Sequence, residues 1–227
     1  MKSVSTLITL LWLALAPAGA TAAEETLIVS GNREIKVLFF EPKEKMESTL
    51  LAILVSGGNS NTFMARAQFW LGKEFVDRGW AIAVPIAPDS TGFTGANAAL
   101  LPELTGQLLA NHNLKPQKPL LVGISSGGSV ALAIARQYPQ AFSGVVATPG
   151  RLLEDDKSAP LAGMPVYLRI GEKDDFRWNK QLDGMKTTLQ DAGGRVDAAI
   201  VPDARHIFKL DWESLESWLT GIQQPGL

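Results

Sequence analysis

An α/β architecture, a mostly parallel central sheet with helices on both faces, is the fold class this sequence predicts, and three observations predict it. Short continuous apolar runs alternate along the chain with longer helix-forming stretches, the pattern of strands buried on both faces and joined by crossover helices. The run 120–124 passes into a helix-forming stretch through Gly123-Ile-Ser125-Ser126-Gly127, which reads as a sharp strand-to-helix turn. Polar segments at 171–175 and 202–206 directly follow later apolar runs, at the carboxyl ends where open α/β sheets hold their ligands.

Each element follows in order. Residues 26–30 and 34–40 alternate apolar and polar side chains around Gly31-Asn32, which predicts an antiparallel hairpin at one sheet edge. The unbroken apolar run 50–55 belongs at the sheet centre. A helical stretch at 63–78 ends at Gly79, and 80–84 reads as the next buried strand. Residues 100–112 form a helix with Leu101, Leu104, Leu108 and Leu109 as its apolar positions. Pro116 and Pro119 lead into the strand at 120–124, and 130–138, rich in helix formers, stops before Pro139. Strands at 142–147 and 166–170, a helix at 180–192, a strand at 195–201 and a last helix at 211–219 complete the series. No internal repeat and no linker rich in Pro, Gly and Ser divides the chain, so residues 24–227 are expected to form one domain.

Residues 1–23 read as an export signal. Lys2 supplies the positive start, residues 7–16 an apolar stretch, and Ala18-Gly-Ala20 or Thr21-Ala-Ala23 a small-residue cleavage site. A periplasmic or secreted protein is the expectation. The apolar stretch is short for a membrane span. A net charge of -2, with no basic block, argues against nucleic acid as a partner. The chain has no cysteine, which excludes a disulfide scaffold, a thiolate nucleophile and thiolate metal sites together.

The chemistry concentrates in a few residues. A side chain at a strand-to-helix turn is forced into a strained backbone position with its hydroxyl pointing out of the fold, and the helix behind it aims unpaired N–H groups at any oxyanion formed there. Ser125 is therefore the candidate nucleophile, and the Ser126 N–H a candidate oxyanion donor. A hydroxyl needs an adjacent base. Of the two histidines, His206 follows the last strand, whereas His112 in Asn111-His-Asn113 ends a helix in a polar setting read as structural or solvated. The acid that orients the base is Asp174 in preference to Asp175, from its place directly after the Gly171-Glu-Lys turn. The second oxyanion donor is expected in Ser56-Gly57-Gly58-Asn59, with Gly58 the first choice and Asn59 the second. Trp178 and Phe208, and after them Phe63 and Trp70, are candidates to line an apolar pocket because they lie near the active loops.

Through these residues the chain resembles an α/β-hydrolase fold serine hydrolase. It is similar in particular to small lidless esterases related to carboxylesterases, dienelactone-hydrolase-like enzymes and polyhydroxyalkanoate-depolymerase-type esterases. The similarity runs over essentially the whole chain after residue 23, through the elbow at 123–127, the acid turn Gly171-Glu-Lys-Asp174, the base loop Arg205-His206 and the oxyanion loop Ser56-Gly57-Gly58. That loop commonly reads His-Gly in the family; Ser56 stands here instead. Many members insert a helical cap before the acid strand, whereas only 148–163, Pro-rich and charged, is available, so no substantial cap is expected. The resemblance implies cleavage of a small-molecule or oligomeric carboxylic ester through an acyl-enzyme, with no metal or organic cofactor. A serine peptidase, an acyltransferase and a non-catalytic binding protein on the same fold are the alternatives.

Overall fold

The computed structural model describes residues 23–89, 91–153 and 160–223. The export segment lies outside the described residues apart from Ala23, and so do residues 154–159 of the segment expected to lack a cap.

Eight strands form one sheet in the order β1-β2-β4-β3-β5-β6-β7-β8. The alternating segments at the start become β1 (Ala23–Val29) and β2 (Arg33–Phe40), paired antiparallel through the Gly31-Asn32 turn, and β2 pairs antiparallel with β4 (Ala81–Ile86). All remaining pairings, from β4 through β3 (Leu51–Val55), β5 (Leu120–Gly123), β6 (Gly144–Ala147), β7 (Pro165–Gly171) and β8 (Arg195–Val201), are parallel. The continuous apolar runs lie at the centre, because only there are both strand faces covered. Every residue of β3, β4, β5, β6 and β7 is buried, whereas the edge strand β8 is not.

Side-chain alternation divides the interior into two cores. Ile53, Leu121, Val145 and Leu168 face one of them, with α3 (Leu100–Asn111), α4 (Ser126–Gln137) and α5 (Leu182–Asp191) packed against it through Leu104, Leu132 and Leu189. Leu54, Val122, Val146 and Tyr167 face the other, which is closed by α1 (Thr62–Ala67), α2 (Phe69–Val76) and α6 (Trp212–Gln223) through Ala65, Phe75 and Leu215. Burial of a large apolar side chain contributes about 1.5–3 kcal/mol, so these two layers dominate the stability of the sheet.

Several boundaries differ from the sequence reading, and two of them have a clear tertiary reason. The helix expected at 63–78 is two helices, broken at Gln68 (φ -99°, ψ 5°), so that Phe69 stacks on Phe40 with ring centroids 3.5 Å apart. Helix α4 starts at Ser126, ahead of the helix formers, because the turn before it and the sheet beneath fix Gly127, Gly128 and Ser129 in spite of their weak propensity. Strand β6 begins at Gly144, whereas the apolar run starts at Phe142.

The register matters most for function. Val55, Gly123 and Ala147 are aligned neighbours, so β3, β5 and β6 all end at one level. Residues 56–60, Ser125 and the loop after β6 consequently share the carboxyl end of the parallel strands. Gly171 and Val201 are likewise paired, which brings the loops after β7 and β8 side by side.

Candidate active site

Ser125 has φ 58° and ψ -126°, a left-handed conformation that is strained for any residue with a Cβ. Its two flanking glycines make the turn possible. A Cβ on Gly123 would lie 2.6 Å from Gly128 Cα, and one on Gly127 would lie 2.6 Å from the Ser56 carbonyl oxygen, so neither position has room for a side chain. The Gly127 N–H closes the turn on the Ile124 carbonyl at 2.9 Å.

The loops after β7 and β8 are tied to each other. Lys173 N–H donates to the Ala204 carbonyl at 2.7 Å, and Asp203 N–H donates to Glu172 Oε2 at 2.8 Å. Gly171 lies so close to this second loop that a Cβ would stand 2.5 Å from the Ala204 carbonyl oxygen. His206 and Asp174 are thus carried on one braced unit.

On that unit the three side chains meet. Asp174 Oδ2 lies 2.7 Å from His206 Nδ1, and His206 Nε2 lies 2.8 Å from Ser125 Oγ. Asp174 Oδ1 accepts the Phe176 and Trp178 N–H groups at 2.8 and 3.2 Å, so the carboxylate is fixed at both oxygens. A carboxylate only accepts; Nδ1 therefore carries the proton, and a neutral ring then offers its Nε2 lone pair to the Ser125 hydroxyl. The Asp174 side chain has no exposed surface and that of His206 only 9%.

Asp175, one residue on, is occupied otherwise. It holds Arg205 through contacts of 2.5 and 3.3 Å at the surface. That guanidinium keeps its carboxyl below the ordinary carboxylate range, with the backbone N–H of His206 adding to the effect. The sequence reading also sets His112 in a polar, exposed place. The structure shields it: the ring stacks 3.4 Å from Phe39, and Nε2 meets Glu25 Oε1 at 2.8 Å.

Backbone geometry distinguishes the two amides considered in the loop after β3. Gly58, at φ 63°, turns its carbonyl to the Ser126 hydroxyl, which donates to it at 3.3 Å. In a planar trans peptide the N–H opposes the C=O, so the Asn59 N–H points away from Ser126. The Gly57 carbonyl accepts from Ser60 N–H at 3.4 Å, which by the same rule directs the Gly58 N–H outward from the loop. The Ser126 N–H belongs to the first turn of α4 and has no intrahelical acceptor.

Of the aromatic candidates, Trp178 is at the site. Its ring stands edge-on to His206 at 5.0 Å, with the Arg151 guanidinium over it at 5.8 Å. Phe208 and Trp70 instead pack half-buried against the second core, and Phe63 is 75% exposed. Two residues escaped the sequence reading. Phe176, 63% exposed, sets its ring 4.6 Å from His206; its place two residues after Asp174 was the available signal. Gln68 reaches Gly57 from the α1–α2 break, for which the sequence carries no local signal.

Comparison with known proteins agrees with this architecture. A family profile described as "Esterase: Putative esterase" matches residues 29–224. "Putative esterase NocK" of Nocardia uniformis subsp. tsuyamanensis is 29% identical over 122 residues, 52% of this chain and 33% of that protein, so the match spans about a third of the relative. Among solved structures, the Bacillus cereus carboxylesterase superposes with a TM-score of 0.64 at 17% identity, covering 83% of this chain and 94% of the other. The dienelactone hydrolase of Anabaena variabilis ATCC 29413 gives 0.64 at 18% identity, covering 89% and 96%. These structural likenesses establish the α/β-hydrolase fold, and with the profile running over nearly all of the described residues, the chain belongs to the esterase family.

Proposed function

We propose that this protein is a serine hydrolase that cleaves carboxylic esters through an acyl-enzyme formed on Ser125. The observation that carries the reading is the continuous chain Ser125 Oγ–His206 Nε2, His206 Nδ1–Asp174 Oδ2, at 2.8 and 2.7 Å, ending on a serine in a strained turn. Ser125 Oγ attacks the ester carbonyl carbon as its proton passes to His206 Nε2. The resulting anion is held by the Ser126 and Gly58 N–H groups, each such donor being worth about 10²–10³ in rate. Collapse expels the alcohol, which takes the proton from His206. Water then repeats the sequence, and His206 returns the proton to Ser125 as the acid leaves. Asp174 keeps Nδ1 protonated and stabilises the imidazolium in both halves.

Phe176 and Trp178 give the site an apolar wall beside the base, which suits an apolar acyl or alcohol group on a small-molecule or oligomeric ester. No step requires a metal or organic cofactor. Residues 1–23 support export, and we propose that residues 24–227 act as one domain in the periplasm or outside the cell. Labelling by a fluorophosphonate, followed by p-nitrophenyl esters of increasing acyl length and peptide amides, tests the reading. Label on Ser125 and turnover of esters over amides is the expected result. Absence of label on the folded protein, or full ester turnover by Ser125→Ala, would overturn it, and faster amide cleavage would make it a peptidase.

A further inference from the structure

The loop that carries Gly58 takes part of its support from a distant side chain. Gln68 turns back from the break between α1 and α2, and its Oε1 accepts the Gly57 N–H at 2.5 Å. That bond fixes the amide's orientation, because a backbone N–H requires an acceptor, and Nε2 therefore occupies the other branch. A Cβ built on Gly57 would lie 3.0 Å from Gln68 Nε2 and 3.3 Å from Ser125 Cβ, so the Gln68 amide and the base of the serine side chain border the same gap. The residue at position 56 gives no support through its own side chain, since Ser56 Oγ is buried with no partner among the described residues. The loop is also tied by Ser60 N–H to the Gly57 carbonyl at 3.4 Å, Ser60 Oγ to the Ser56 carbonyl at 2.9 Å, Ala87 N–H to the Ser60 carbonyl at 3.0 Å and the Ser126 hydroxyl on Gly58.

We infer that Gln68 is a positioning residue for ester hydrolysis, an inference resting on the hydrolase reading above. By occupying the Gly57 N–H it fixes the Ser56-Gly57 peptide, and with it the point from which the next N–H, that of Gly58, faces the oxyanion. Oxyanion donors act by being preorganised. The tie is therefore worth little to substrate binding and much to the transition state, where a misplacement of about 1 Å costs up to about 10²-fold.

Gln68→Met keeps the length of the side chain and removes the acceptor; Gln68→Ala, which adds no bulk, is the second variant should the first fold poorly. The expected pattern is a kcat lower by about 10–100-fold with KM within about threefold. Affinity for an alkyl boronic acid, which forms the tetrahedral adduct on Ser125, falls by a similar factor, the Gly57 amide exchanges faster by NMR, and Tm falls by a few degrees, as for one lost hydrogen bond. A purely structural role would lower Tm as far while sparing kcat and the boronate affinity. Unchanged kcat and boronate affinity in a folded variant, a loss confined to KM, or unaltered Gly57 exchange each overturns the inference. A wild type with neither ester turnover nor label on Ser125 sinks the hydrolase reading and this inference together, whereas an active wild type with an indifferent Gln68→Met sinks the inference alone.

Discussion

The two histidines sit in regions that look alike and differ in what they can do. His112, at the end of α3, has Nε2 on Glu25 Oε1 at 2.8 Å, Nδ1 3.6 Å from Glu41 Oε1, and a Phe39 ring stacked on it. His206, after β8, has Nδ1 on Asp174 at 2.7 Å and two aromatic rings edge-on. Both rings are largely shielded, at 18% and 9% side-chain exposure. The difference lies in the second nitrogen. At His112 it faces another carboxylate, which can only accept, so the imidazole ties β1 and β2 to α3. At His206 it faces a hydroxyl, held by a strained turn where its proton can be taken. A histidine against a carboxylate is a brace; the third partner makes it a candidate for chemistry.

Breaking the third partner gives the largest expected effect. Ser125→Ala is expected to lower kcat for p-nitrophenyl esters by about 10⁴-fold or more, since nucleophile and base act as a unit. Stability should move the other way. Ser125→Gly relieves a positive-φ conformation that costs on the order of 1–3 kcal/mol, so an inactive protein with a raised Tm is expected by calorimetry. A Tm equal to or below that of the wild type would mean that the turn stores no strain.

Removing the charge from the acid of the active pair comes next. Asp174→Asn is expected to cost about 10³–10⁴ in kcat, because an amide in that place no longer selects the Nδ1–H tautomer that leaves Nε2 free to accept. A kcat within tenfold of wild type would mean that the imidazole is oriented by its aromatic neighbours alone.

The same contrast explains how much could be read from residues. Ser125 was legible because its chemistry is local: two glycines, a buried strand and a helix fall within a dozen residues, and the structure adds only the dihedral. His206 was legible by scarcity, with two histidines in the chain and one of them after the last strand. Asp174 could be preferred over Asp175 from position; the two backbone N–H groups that hold it come from its own loop, whereas Arg205 claims Asp175 only once the loops after β7 and β8 are joined. What was not legible depends on contacts distant in sequence. His112 is shielded because β1 and β2 bring Glu25 and Phe39 to it, and the break at Gln68 is set by docking on Phe40 and by the Gly57 amide. Chain proximity alone misassigned Trp70 and Phe208, whose side chains turn to the second core.

The structural histidine should respond in the opposite sense to the active one. His112→Leu removes the Glu25 hydrogen bond and the aromatic stack, each worth about 1 kcal/mol, while leaving every atom near Ser125 in place. A Tm lower by a few degrees with kcat within about twofold is expected. A loss of activity without loss of stability would join the two regions and dissolve the contrast drawn between them.

The smallest effect tests whether the carboxylate beside Asp174 is as separate as its contacts imply. Asp175 is held below the ordinary carboxylate range first by its hydrogen bond from Arg205, and Arg205 is correspondingly raised. A group depressed on folding contributes stability above its unfolded value and loses that contribution as pH falls through its folded value. Arg205→Gln should therefore raise the Asp175 titration toward the ordinary range, read from its side-chain carboxyl resonance, so that it protonates at a higher pH than in the wild type. Both groups lie at the surface, where solvent and salt screen the pair, so stability near neutral pH should change little and the difference should shrink as salt is added. Turnover at neutral pH should stay within about threefold, because the Asp174–His206–Ser125 chain contains no atom of Arg205. A drop approaching that of Asp174→Asn would mean that the Arg205–Asp175 pair holds the loops after β7 and β8 in register, and that the brace and the active pair are one region.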